Sequence, residues 1–179
     1  MSELAVHPAA ELPEPERLEY FRLVASIALC DGRSDEAEIV KLRRLADALR
    51  LHKAVTEPIF TSLEENHLDM QVSPREALWF KEPREVRWHL MIDSIAIAFT
   101  DGRLSDGEKR RLTDLARQLE IDPQDVTRMA ERIESILFLR HADYAVLTKE
   151  LGAAVGGEQF GKHVIGRVRH LSGRFTAPE

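Results

Sequence analysis

The sequence predicts an all-α fold, a single helical domain of two pseudo-symmetric repeats, and three observations carry that prediction. Apolar residues recur at helical spacing through most of the chain, and no stretch alternates as a half-buried strand would. The segment Ala28-Leu29-Cys30-Asp31-Gly32-Arg33-Ser34-Asp35-Glu36-Ala37-Glu38 returns as Ala98-Phe99-Thr100-Asp101-Gly102-Arg103-Leu104-Ser105-Asp106-Gly107-Glu108, at a constant offset of 70 residues. Flanking apolar positions return with it: Ile27 with Ile97, Leu42 with Leu112, Leu45 with Leu115, Ala46 with Ala116 and Leu49 with Leu119. A fixed-offset repeat is an architectural signature, and two copies suit paired helical hairpins, since an open solenoid needs more units.

Taken in order, residues 1–15, rich in Ala, Pro and Glu, read as a flexible N-terminal segment. The spacing of Leu18, Phe21, Ala25, Ala28 and Leu29 predicts a helix from Glu16 to Cys30, closed by Asp31-Gly32 because Gly takes the left-handed conformation that ends helices. A second helix starts near Asp35 and carries Ile39, Leu42, Leu45, Ala46 and Leu49; a third covers Glu57 to His67. Pro74 and Pro83 bracket a short irregular or helical piece before the second repeat. There, helices are expected from Glu85 to Thr100 and from Ser105 to Glu120. Asp122-Pro123 reads as an N-cap and first helical position for a helix running to Leu139, with a further one over Ala142 to Leu151. The helical domain thus spans 16–151, with repeats over 16–69 and 84–139. Residues 152–179 read as a Gly-rich, basic C-terminal helix or tail, with Lys162, Arg167, Arg169 and Arg174.

Composition narrows the function classes. The chain has 179 residues and a net charge of −6, which argues against a nucleic-acid footprint. Its one cysteine, Cys30, cannot form an intrachain disulfide and fits a reducing compartment. No signal-peptide pattern opens the sequence, and no apolar run reaches the ~20 residues a bilayer requires. The expectation is a soluble cytoplasmic protein.

The repeated Asp-Gly…Glu pattern has two readings. Asp35-x-x-Glu38 and Ser105-x-x-Glu108 are both capping boxes, in which the Glu reaches back to the backbone N–H of the cap. With Gly32 and Gly102 as helix stops, the motif then makes only two tight corners. That leaves Asp31 and Asp101 unexplained, because a carboxylate is unfavourable at the negative end of a helix dipole. In the functional reading the corners converge, so that Asp31, Glu38, Asp101 and Glu108 form one acidic site that requires a cation. Hard oxygen ligands favour Ca²⁺ or Mg²⁺ over zinc, and Asp35, Asp93 and Asp106 are candidates for further oxygens. Asp101-Gly102-x-Leu104-x-x-x-Glu108 matches the second half of an EF-hand loop, but Ile97 and Phe99 stand where its leading acids belong. Arg33 and Arg103 offer the same carboxylates a metal-free partner.

Ala28-x-x-Asp31-Gly32 followed by Glu38, and Ala98-x-x-Asp101-Gly102 followed by Glu108, resemble the TerB-like tellurite-resistance family. The resemblance spans about Leu18 to Leu139 and implies an all-helical fold of two pseudo-symmetric halves, each with this signature. It implies that Asp31, Glu38, Asp101 and Glu108 form a metal-binding or polar interaction surface. It also implies a non-enzymatic module of tellurite resistance and stress response, with protein partners in an assembly and peripheral association with the inner membrane. A related domain begins a membrane-anchored J-domain co-chaperone, but this chain has no His-Pro-Asp tripeptide and His7-Pro8-Ala9 does not supply one. The alternative is a metal-independent adapter whose acidic residues only cap helices. A metal-dependent hydrolase ranks last, since it needs an open metal position with water access.

Other motifs fail on their own chemistry. Gly156-x-x-x-x-Gly161-Lys162-His163 lacks the Ser or Thr that a phosphate-binding loop places after its Lys. Glu64-x-x-His67 has no second pair with which to build a di-iron site. Trp79 and Trp88 read as packing residues, and Cys30, aligned with Thr100, as a small packed side chain.

Overall fold

A computed structural model describes residues 6–29, 35–65, 84–101 and 104–138. Among them are six α-helices and no strand: α1 (Glu14–Ala28), α2 (Glu36–Ala48), α3 (Lys53–Glu64), α4 (Arg84–Ala98), α5 (Asp106–Gln118) and α6 (Pro123–Phe138). Short 3-10 turns precede α1 (Pro8–Glu11) and follow α4 (Phe99–Asp101). The all-α expectation holds. The expected helix over Ala142 to Leu151 and the 152–179 tail lie outside the described residues.

Helix α1 is buried over Tyr20, Phe21 and Leu23–Ala28, and α4 over Val86 and Trp88–Ala98. A helix that is apolar nearly all round belongs at the centre of a bundle, not on its surface. The two pack on each other as the most extensive helix pair, and α2 and α5 each touch both. The stripe expected for a surface helix therefore understated α1: Leu18 and Leu29 are only half-buried, while Tyr20, Leu23, Val24 and Ile27 are core. Helices α2 and α5 are amphipathic, burying Leu42, Leu45 and Ala46, and Leu112, Leu115 and Ala116.

Element bounds recur at the sequence offset of 70 residues: α1 at Glu14 and α4 at Arg84, α2 at Glu36 and α5 at Asp106, α3 at Lys53 and α6 at Pro123. The turns recur as well. Arg50 and Glu120 carry the positive φ values of 53° and 56°, past the ends of α2 and α5. The next amide folds back in both, Leu51 N–H donating to Ala46 O at 3.0 Å and Ile121 N–H to Ala116 O at 2.9 Å. This is the left-handed closure that Gly usually provides, made here by longer residues. Cross-helix contacts follow the same rule: Lys41 Nζ of α2 donates to Ala96 O of α4 at 3.1 Å, and Arg111 Nη2 of α5 to Ser26 Oγ of α1 at 3.4 Å.

Two boundaries differ from the sequence reading. Helix α3 starts at Lys53, not Glu57, and contains Pro58. A proline is expected in the first turn, where its missing N–H costs nothing, and this placed the start too late. The N-terminal segment, expected to be flexible over 1–15, is packed from His7 onward: His7 is 3% exposed and Ala9 0%. Composition misled because Pro8 begins a 3-10 turn, which the His7 side chain caps by accepting from Ala9 N–H.

Candidate functional site

The two acidic corners are built alike. In the first, Asp35 Oδ1 accepts from Ala37 N–H at 2.7 Å, and Asp35 N–H donates to Glu38 Oε2 at 2.8 Å. In the second, Ser105 Oγ accepts from Glu108 N–H at 3.2 Å, and Ser105 N–H donates to Glu108 Oε2 at 2.7 Å. Both are capping boxes, as the spacing predicts. Glu38 and Glu108 are only 8% and 7% exposed, each in the first turn of its helix, where the dipole favours a negative charge. Asp31 lies outside the described residues. Asp101 ends the 3-10 turn after α4, and its side chain is likewise outside what is described. Among the described residues no three His, Cys, Asp or Glu side chains are grouped to hold a metal ion. Of the further candidates, Asp35 is a cap and Asp106 faces Lys109 at 3.7 Å on the surface.

Asp93 anchors a polar centre that the sequence reading missed. Its carboxylate is fully buried in α4. Oδ2 accepts from Tyr20 Oη–H of α1 at 2.6 Å and from His7 Nε2 at 3.0 Å. Ala9 N–H donates to His7 Nδ1 at 2.9 Å, so the hydrogen-bond pattern assigns the ring proton to Nε2, facing Asp93. The imidazole meets the Tyr20 ring edge-on, with centroids 5.3 Å apart at 89°. His89, one turn before Asp93, tilts its ring against His7 at 5.9 Å. Four polar side chains from three elements thus converge with their ring atoms and one carboxylate shielded from water. A buried carboxylate is tolerated only where donors meet it, and here they come from a neighbouring helix and from the N-terminal segment.

The signal for this centre was present in the repeat. Asp93 stands at the register of Leu23, and Tyr20 at that of Leu90. An acid at a position where the other copy is core is an anomaly, and it marks a buried site. His7 gave no such signal, because only the tertiary fold brings a residue 86 positions away to Asp93.

No protein-family model, curated protein or solved structure matches this chain.

Proposed function

We propose that the chain is a non-enzymatic, TerB-like interaction module made of two pseudo-symmetric helical repeats, working within a stress-response assembly of the kind linked to tellurite resistance. The observation that carries the two-repeat reading is the pairing of equivalent contacts. Lys41 with Ala96 and Arg111 with Ser26 join equivalent positions of the two sequence copies, one through a backbone carbonyl and the other through a hydroxyl, and each copy carries a capping box. Helix capping accounts for Glu38 and Glu108 without a ligand, and this favours the metal-independent adapter. The repeat resemblance supplies the stress-response role. Deleting the chain from its host cells should lower tellurite tolerance, and unchanged tolerance would remove that role.

A second reading keeps Ca²⁺ or Mg²⁺ at Asp31, Glu38, Asp101 and Glu108. Its support is that both glutamates are buried carboxylates at equivalent positions of the repeated motif, and carboxylate oxygens are the donors Ca²⁺ and Mg²⁺ prefer. Calorimetric titration of the metal-free full chain with Ca²⁺ and Mg²⁺, beside the Asp31→Asn/Asp101→Asn variant, separates the two. Heat that the variant loses makes this a divalent-cation module, and its absence leaves the adapter.

A further inference from the structure

The seat of His7 lies between α1 and α4 and uses none of the acidic-corner residues. We propose that it is a recognition site for an imidazole-bearing peptide segment, filled in cis by the chain's own residues 6–12 and exchangeable for a partner segment of the same chemistry. The proposal rests on the interaction-module reading and names the kind of partner that module takes.

The seat is specific for a neutral imidazole. Asp93 Oδ2 accepts its Nε2–H at 3.0 Å, the Tyr20 ring closes one side edge-on, and the tilted His89 ring closes another. Helix packing alone does not call for these groups, because the equivalent registers hold Leu90 and Leu23, both buried. The small residues after the imidazole matter too. Ala9 is 0% exposed and Ala10 7%, so a side chain larger than a methyl at Ala9 would clash with the core. The fitting segment therefore reads His, one further residue, then two small apolar residues.

The occupant is attached in a way that permits exchange. It comes from outside the six helices and joins α1 through Leu12 and Pro13, both extended (φ −70°, ψ 155° and φ −53°, ψ 148°). His7 anchors it, with the methyls of Ala9 and Ala10 and the half-buried Leu12. Glu11 reaches Arg50 only at 3.9 Å between exposed side chains, which adds little. A short segment outside the six helices opens locally at lower cost than the whole fold. Once it opens, Asp93 loses a donor, so refilling the seat with another imidazole is favoured over leaving it empty.

The test uses the full chain with His7→Ala and free imidazole as the probe. Imidazole at about tenfold over its Kd should raise the thermal midpoint of that variant by about 3–6 °C. Wild type and His7→Ala/Asp93→Leu should not move. A labelled Val-His-Pro-Ala-Ala-Glu-Leu peptide should bind full-length His7→Ala about tenfold or more tighter than the same peptide with Ala for His. No imidazole-dependent shift, or no preference for the His peptide, would overturn the proposal. If His7→Ala does not unfold cooperatively, His7→Gln carries the same titration. Loss of the fold in both makes His7 a fixed core residue and also overturns exchange. Wild-type dimerisation that His7→Ala abolishes would replace the foreign partner with a second copy. Failure of these tests leaves the tolerance and cation experiments standing, so the two readings fall separately.

Discussion

Replacing Tyr20 by Phe removes one atom from the polar centre and leaves its shape intact. The ring keeps its edge contact with His7, and the lost hydroxyl is the one that donates to Asp93 Oδ2 at 2.6 Å. That distance lies in the range of charge-assisted O–H···O⁻ bonds, about 2.5–2.7 Å. A hydrogen bond to a charged group is worth roughly 1.5–3 kcal/mol. His7 Nε2 still donates to the same oxygen, so the loss should fall near the middle of that span, about 2 kcal/mol. For a chain of this size each kcal/mol moves the thermal midpoint by about 2–4 °C, which predicts a drop of about 4–8 °C. Urea unfolding should show a lower midpoint with an unchanged slope, since the surface exposed on unfolding is the same. Combined with His7→Ala, the two losses should not add, because both donors share one acceptor; a coupling of at least ~0.5 kcal/mol is expected. A Tyr20→Phe protein within about 0.5 kcal/mol of wild type, or strict additivity in the cycle, would refute the shared, ionised acceptor.

Two further predictions concern the corners and the helix ends. Glu38→Gln and Glu108→Gln keep the capping box, which accepts Gln, and should leave stability nearly unchanged, whereas each Ala variant should cost about 1 kcal/mol by urea unfolding. Ca²⁺ or Mg²⁺ raising the midpoint of wild type but not of the double Gln variant would contradict a purely capping role. Arg50→Gly and Glu120→Gly each remove a side chain from a positive φ, and each should stabilise by up to about 1 kcal/mol. A loss of stability in both would mean that the side-chain contacts at these sites outweigh the backbone strain.

Much of the helical frame was legible because its signals are local. Asp35-x-x-Glu38 and Ser105-x-x-Glu108 fix two helix starts through bonds spanning three residues, and Asp122-Pro123 marks the start of α6. Helix α3 starts four residues before the expected Glu57, with Pro58 inside it, where the packing of Ile59, Phe60 and Leu63 offsets the missing N–H. Glu38 and Glu108 each stand at the third position of a helix opened by a capping box, as the spacing predicts, while Asp31 lies outside the described residues. The polar centre was not read, for two different physical reasons. The acidic-corner reading offers Asp93 as a further oxygen, although its register with Leu23 puts it in the core. His7 could not have been placed, because its burial depends on a tertiary contact that no local pattern encodes.

If the two-fold relates the repeats, the Tyr20–Asp93 contact has a mate at the positions of Leu90 and Leu23. The same junction would then be built once with a charge and once without. The apolar version implies that α1 and α4 need no carboxylate to pack, so the polar version answers to the third participant, His7. This reasoning predicts an asymmetric outcome. Asp93→Leu alone removes the acceptor of two buried donors, the Tyr20 hydroxyl and His7 Nε2–H, and should cost at least ~2 kcal/mol. Asp93→Leu together with Tyr20→Leu and His7→Leu removes both of those donors, and the volume gained at 93 makes up for that lost at 20. Replacing a buried polar set by packed apolar groups is often neutral or stabilising, so the triple variant should recover to within about 1 kcal/mol of wild type. Urea unfolding decides it. A triple variant as unstable as Asp93→Leu alone would show that the charge serves the helix pair itself and not the docking of the N-terminal segment.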